Sequence, residues 1–337
     1  MYIGKSYHLF EFVIWTKGKI YTLLLLGLIP ICLYHILGIK WVAVPWSVIA
    51  MLGTATAFIL GFKNNLSYNR STEAQDIWTS IVSNSRAWGL VSKDYLQNNN
   101  ETSKILIYTH MAWITALRYS MREPRSWEST DKRHNVKYRK HFIIPEQQTT
   151  LEEELSKYLE SSELEKILKV KNISTYILSL QSKTLKSLYE KQEITIAQFI
   201  DMEKSIKEFY YLQGKSEHIK DSPFPRQYNI INNLLIQSFS FLLPYGLLAD
   251  FNRLNESVDG FMKGNMIWLI LPFSCLISWL YASIAQVGEN TENPFEGGAN
   301  DVPISRMSFQ LEAELREMLG EINFRNLDTG QNTTIIL

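Results

Sequence analysis

The sequence predicts an all-α membrane protein, with four membrane-spanning helices and a helical domain that faces water. Three observations carry that expectation. Four uncharged blocks, Ile20 to Ile39, Val42 to Phe62, Ile230 to Ala249 and Asn265 to Val287, are each long enough as helices to cross a bilayer, which takes about 20 residues. The segment between the second and third blocks is long and densely charged. Both cysteines, Cys32 and Cys275, fall inside apolar blocks, where they read as small hydrophobes rather than as a disulfide or a metal pair. Composition alone is uninformative, because 34 basic residues balance 34 acidic ones over 337 residues, as in many soluble proteins.

The elements follow in order. The first block is fenced by Lys19 and Lys40, and it is too long for the core of a cleaved signal peptide. Another apolar block follows it after a minimal turn at Gly38 to Trp41. No Pro or Gly separates Lys63 from Arg86, so the second membrane helix is expected to continue unbroken into the cytoplasm, with Ile77, Trp78, Ile81, Val82 and Ser85 on one apolar face. The cytoplasmic region 63–229 reads as helices, broken at Gln97 to Asn100, at Pro124 with the basic stretch DKRHNVKYRKH, and at Gly214 to Pro225. Thr150 with Glu153, and Thr195 with Gln198, have the spacing of reciprocal N-terminal caps, so helices begin there. Asn232, Asn233, Gln237 and Pro244 leave a buried core helix as a competing reading of the third block alone. The fourth lies between Lys263 and Glu289, and residues 288–337 form a C-terminal loop and helix.

Lys5, Lys17, Lys19, Lys63, Arg70, Lys220, Arg226 and Arg306 cluster at one set of helix ends, which places both termini and the middle region in the cytoplasm of a cell with a multi-pass inner-membrane protein. Asn-x-Ser/Thr matches such as Asn172 to Ser174 are then chance matches.

Enzyme chemistry finds little support. His8, His35, His110, His134, His141 and His218 show no paired metal-ligand spacing, and no glycine-rich phosphate loop is present, so neither a metal nor a cofactor is expected. His110 is expected to be a packed structural histidine. The basic stretch around Lys132 to His141 lacks interleaved stacking aromatics and reads as a solvated loop, not as a nucleic-acid site. The run LEEELSKYLE has the charge pairing of an exposed helix face.

Residues four apart on a helix share nearly one face, so Thr54, Phe58 and Phe62 form a stripe. By spacing alone it can pack on a neighbouring helix, and Gly53, Ala55, Ala57 and Gly61 offer small residues for close approach. GFKNNLSYNR at 61–70, followed by IWTSIVSNSR at 77–86, resembles the pattern that ends the second membrane helix in the bestrophin family and its bacterial branch. PFPRQY from Pro223 resembles that family's entry to the third membrane helix, and ENPFEGGANDVPI from Glu292 its loop after the fourth, in the same order. The resemblance covers about Leu9 to Leu319, and it departs at Ser71 and Thr72, where members often carry paired tryptophans.

The resemblance implies a single channel domain that assembles in the bilayer as a homopentamer around one axial pore for small monovalent ions. Animal relatives conduct chloride, and the bacterial branch can favour cations such as sodium. Thr54, Phe58 and Phe62 match the pore neck, where phenylalanine rings gate conduction by wetting and drying. Asn64, Asn65 and Arg70 stand at the end of the pore helix, where the amides can serve ions or bonds between subunits. A second, cytoplasmic aperture falls in EITIAQ, with Ile194 the candidate and Ile196 or Ala197 the slipped alternatives. Calcium in animal relatives is held by an acidic run after Asn-Pro-Phe. Here Asn293, Pro294 and Phe295 are followed by Glu296, Gly297, Gly298, Ala299, Asn300 and Asp301. Asn290, Asn293 and Asp301 remain as vestigial positions, in a loop expected to be a structural turn into a helix near Ser305. The competing class is a non-conducting membrane scaffold or sensor whose cytoplasmic helices bind a partner.

Overall fold

The computed structural model describes residues 9–96, 99–130 and 142–321, together with 132, 135, 136, 139, 335 and 337. The expected break at Gln97, the residues His8, His134 and His141, and most of the basic stretch lie outside the described residues. The chain divides into two compact units.

The membrane unit comprises Lys5–Asn69 and Phe224–Glu292. Its helices are α1 (Leu9–Ile31), the first part of α2 (Trp46–Asp94), α8 (Arg226–Leu254) and α9 (Ile270–Asn290). All four spans expected from the sequence are long and apolar enough to cross a membrane, the third block included. Their ends differ from the sequence reading: α1 begins at Leu9 instead of Ile20, and α8 extends past the apolar block on both sides, because polar flanking residues can remain helical beyond the hydrocarbon layer. Pro30 sits inside α1, and a π-helical turn, Cys32–Ile36, follows it before the chain reverses at Gly38, whose φ of 68° suits a residue without a side chain. Pro45 stands immediately before α2, where its missing N–H is no loss.

Small residues bring these helices together. Ile49, Phe239 and Leu243 form one buried cluster, and Gly53 on α2 faces the Phe239 ring at a distance where a Cβ would lie 2.8 Å from Cε2. Gly246 on α8 faces Ile49 in the same way. Tyr281 Oη on α9 donates to the Gly53 carbonyl at 3.3 Å. On the far side, Trp279 Nε1 donates to Thr16 Oγ1 at 2.9 Å, and Lys19 Nζ donates to the Ala282 carbonyl at 3.1 Å, fixing α1 on α9.

The second unit comprises Arg70–Pro223 and Asn293–Leu337. It contains the rest of α2, then α3 (Asn100–Arg122), α4 (Leu151–Leu155), α5 (Ser161–Ile167), α6 (Ile173–Glu190), α7 (Ile196–Asp221) and α10 (Ile304–Met318). Ile77, Trp78, Ile81, Val82 and Ser85 are all buried, as their helical spacing predicts. Thr150 and Thr195 each close a reciprocal cap with Glu153 and Gln198. Asn172 is the N-cap of α6, its side-chain oxygen accepting from Thr175 N at 2.9 Å. His110 is wholly buried beside Trp88, Trp113 and Phe209, and its Nε2 lies 2.8 Å from Ser85 Oγ. Burial lowers its pKa to about 3, so it is a neutral structural residue.

The Gly246–Ile49 contact gives a direct test of this packing. In Gly246→Ala the new Cβ would lie 2.5 Å from Ile49 Cγ1, so the variant is expected to lose about 1–3 kcal/mol by overpacking. Adding Ile49→Ala should recover part of that loss in thermal unfolding in detergent, whereas equal stability of Gly246→Ala and the parent would show that the two helices are not held this closely.

Candidate permeation site

One helix supplies the stripe expected to line a pore. Along α2, Ile49, Gly53, Thr56, Leu60, Lys63 and Ser67 recur at roughly 3.6-residue spacing and are buried in the chain itself. The opposite face carries Met51, Thr54, Phe58, Phe62 and Asn65, and it is uncovered. Phe58 is 66% exposed and Phe62 is 58% exposed, although both are large and apolar. The reading in which this stripe packs on a neighbouring helix therefore fails within one chain. The two rings meet edge to face, with centroids 4.9 Å apart at 76°. Thr54 Oγ1 donates to the Ala50 carbonyl at 2.9 Å, which satisfies the hydroxyl proton within the helix and leaves its oxygen able to accept.

The polar residues after the stripe separate into different roles. Asn64 Nδ2 donates to the Ile284 carbonyl on α9 at 3.2 Å, and its Oδ1 presses on Gly288, where no Cβ would fit. Asn64 is thus a brace between α2 and α9 within the chain. Arg70 also finds its partners inside the chain, donating to the carbonyls of Ile219 and Ser222 at the C-terminal end of α7. Carbonyls there have no partner in their own helix and attract a cation. Asn65 alone of the three is exposed on the stripe side.

The aperture candidates differ in burial within the chain. Ile194 is 4% exposed and belongs to the main core of its unit, because the Thr195 cap turns the chain so that the residue before it packs inward. Ile196 is 52% exposed, and Ile200, one turn later on α7, is exposed as well.

The loop from Asn293 to Ile304 holds its carboxylates in a web of hydrogen bonds and ion pairs within the second unit. Asp301 Oδ2 accepts from the backbone N–H groups of Gly297 and Gly298 at 2.7 and 2.9 Å and lies 3.6 Å from Arg122. Glu296 accepts from Ser129 N and Ser129 Oγ at 2.9 and 2.6 Å, and Asn293 Nδ2 donates to it at 3.3 Å. Glu146, reached by Arg118 at 3.1 Å and Ser305 Oγ at 2.6 Å, completes the cluster. These side chains point inward and bond to one another, and among the described residues no group of His, Cys, Asp and Glu is placed to hold a metal ion. α10 starts at Ile304, so the loop is the turn into a helix that its sequence suggested.

Sequence reasoning missed Gly288, Lys63, Glu292 and the Arg118–Arg122–Glu146 cluster. Arg118 and Arg122 are four apart on an otherwise apolar stretch of α3, which was the available signal for a buried charge pair. Lys63 Nζ, buried and 3.7 Å from Glu292, had none, because the two are far apart in sequence.

Comparison with known proteins agrees with this architecture. The family of bacterial/fungal bestrophin proteins matches residues 13–317. The voltage-dependent anion channel-forming protein YneE of Escherichia coli K12 is 24% identical over 289 residues, 86% of this chain and 80% of that protein. Its counterpart in Salmonella typhi is 24% identical over 311 residues, 90% of this chain and 88% of that protein. A crystal structure of a bacterial bestrophin homologue from Klebsiella pneumoniae superposes with a TM-score of 0.74 at 22% identity, covering 90% of this chain and 98% of that one.

The loop's carboxyls make its stability depend on pH. Burial, reinforced by neighbouring Asp301 and opposed by the Ser129 bonds, raises Glu296 to about 7, and burial raises Asp301 to about 6 against the pull of Arg122. Both carboxyls bind protons more tightly folded than unfolded, so their contribution is full below their ordinary values and is lost as pH rises through about 6 to 7. Between pH 5 and pH 8 the parent protein should lose on the order of 1–3 kcal/mol from this pair. Glu296→Gln should flatten the pH profile of thermal unfolding, and an unchanged slope in that variant would locate the titration elsewhere.

Proposed function

This chain belongs to the bacterial/fungal bestrophin family, and from that premise we propose that it forms a homopentameric channel for small monovalent ions across the inner membrane. The observation that carries the proposal is the uncovered stripe of Thr54, Phe58 and Phe62, on a helix whose opposite face is fully packed. Apolar rings left exposed in one chain are accounted for if five copies of α2 surround an axis, with the rings forming a narrow neck. Such a neck admits water and ions reluctantly, so a small change in radius switches conduction. Ring edges carry partial positive charge that can face a partly dehydrated anion, whereas ring faces suit a cation. The neck positions bear no charge, so chloride is the first ion to test because relatives are named as anion channel-forming proteins, and sodium is the second. Ile196, with Ile200 behind it, is the better candidate for a second, cytoplasmic constriction. The distribution of Lys and Arg supports cytoplasmic termini.

Purified protein in planar bilayers tests this reading. Asymmetric NaCl and KCl give the ion sign from the reversal potential. Phe58→Ala with Phe62→Ala should widen and wet the neck, raising conductance or open probability with assembly intact. Should both rings instead be needed for packing, the double variant would lose roughly 3–5 kcal/mol per buried Phe and yield unstable protein. Unchanged ion flux from a well-assembled double variant would remove these residues from the pore.

The loop after α9 supports a channel that opens without calcium, since Asp301 and Glu296 are engaged by backbone, serine and arginine groups. Current in chelator should equal current in micromolar free calcium, and a large reversible activation by calcium would contradict this.

A further inference from the structure

Leu60 on α2, Ile236 on α8, and Ala282 and Ala285 on α9 form a small apolar layer in the membrane unit. Immediately beyond it, toward Lys63, the same three helices carry a belt of polar side chains. Asn229 Nδ2 on α8 donates to Glu292 Oε1 at 3.1 Å, just past the end of α9, while Ile236 shares its layer with Ala285. This antiparallel register sets Asn232 opposite the turn of α9 that carries Gln286. On the α2 side, the bond from Asn64 to the Ile284 carbonyl sets Asn64 and Ser67 at the same level.

Ser67, Asn232, Ser283 and Gln286 are each more than nine-tenths buried. Both amide atoms of Asn232, Nε2 of Gln286, the hydroxyls of Ser67 and Ser283, and Oδ1 of Asn64 and of Asn229 nevertheless meet no hydrogen-bonding protein group. Their own chain already covers these atoms, so a second copy of the protein cannot reach them. Burial of this kind at the edge of a membrane is costly unless something completes the bonds.

The missing partner must both donate and accept. A cation would suit the amide and hydroxyl oxygens but would face Asn232 Nδ2 and Gln286 Nε2 with the wrong charge, and an anion would face the oxygens wrongly. Lys63 and Glu292 pair with each other at 3.7 Å, so neither is left to hold an ion. Water meets both demands, and sites with two to four polar partners hold it well. We propose that the belt between α2, α8 and α9 is a water-binding site, in which ordered water completes the hydrogen bonds of Asn232 and Gln286. Exchangeable water partners let α2 shift against α8 and α9 without stranding a buried polar group, which direct amide-to-amide bonds would not allow.

The test pairs a structure of the assembled protein in lipid nanodiscs, at a resolution that shows ordered water, with thermal unfolding of Asn232→Leu. The expected result is density within hydrogen-bonding distance of Asn232 and Gln286 that is unchanged when rubidium replaces sodium. Asn232→Leu should lower the unfolding midpoint by about 2–4 °C, because it strands partners that water had satisfied. In a dry belt the same change removes an unsatisfied group and raises the midpoint, which would overturn the proposal. Amides turned onto one another with no density between them would overturn it too, as would density that strengthens in rubidium. Should Asn232→Leu fail to assemble, Gln286→Met is read for the same sign.

Discussion

The close seating of one face of α2 on the rest of the membrane unit is the constraint on which the remaining structure depends. Gly53 under Phe239, Gly246 against Ile49, and Asn64 wedged on Gly288 fix both the distance and the rotation of that helix. A helix held in one rotation has only one face to spare. On α2 that face carries Thr54, Phe58 and Phe62, so the residues proposed to meet permeant ions are presented by contacts made on the other side of the helix.

Charge in the second unit is managed by enclosure. Arg118, Arg122, Glu146, Glu296 and Asp301 are buried together, and Lys220 pairs with Glu128 in similar isolation. Removing one member of such a pair leaves an uncompensated buried charge, which makes these clusters rigid attachment points. The loop after α9 is tied into one of them through Asp301 and the Phe295 carbonyl, which accepts from Arg122 Nη1 at 3.1 Å. The positive φ of Gly297 allows the chain to bring two N–H groups onto one carboxylate, so a side chain there would be strained.

Features set by neighbours in sequence were legible without a structure. The four apolar blocks, the capped starts at Thr150 and Thr195, the buried face of α2 from Ile77 to Ser85 and the neutral His110 follow from spacing and polarity over a few residues. Features set by distant pairings were not. Arg70 and Asn64 stand near the end of an apolar block, and their acceptors lie on α7 and α9, far along the chain. Ile194 and Ile196 are equally apolar, and only the turn made by the Thr195 cap decides which is buried. The stripe itself was visible as a pattern, but only the folded chain shows that no helix of the same chain covers it.

Thiol accessibility tests the central claim most directly, that the uncovered face of α2 meets water and ions. With Cys32 and Cys275 replaced by Ser, single cysteines are placed at Phe58 and at Leu60, which lie on opposite faces of the helix, and a charged thiol reagent is applied from the aqueous side during recording. The account predicts rapid modification and altered current at position 58, with position 60 inert. Conducting channels that stay unmodified at 58, or that react equally at both positions, would contradict it.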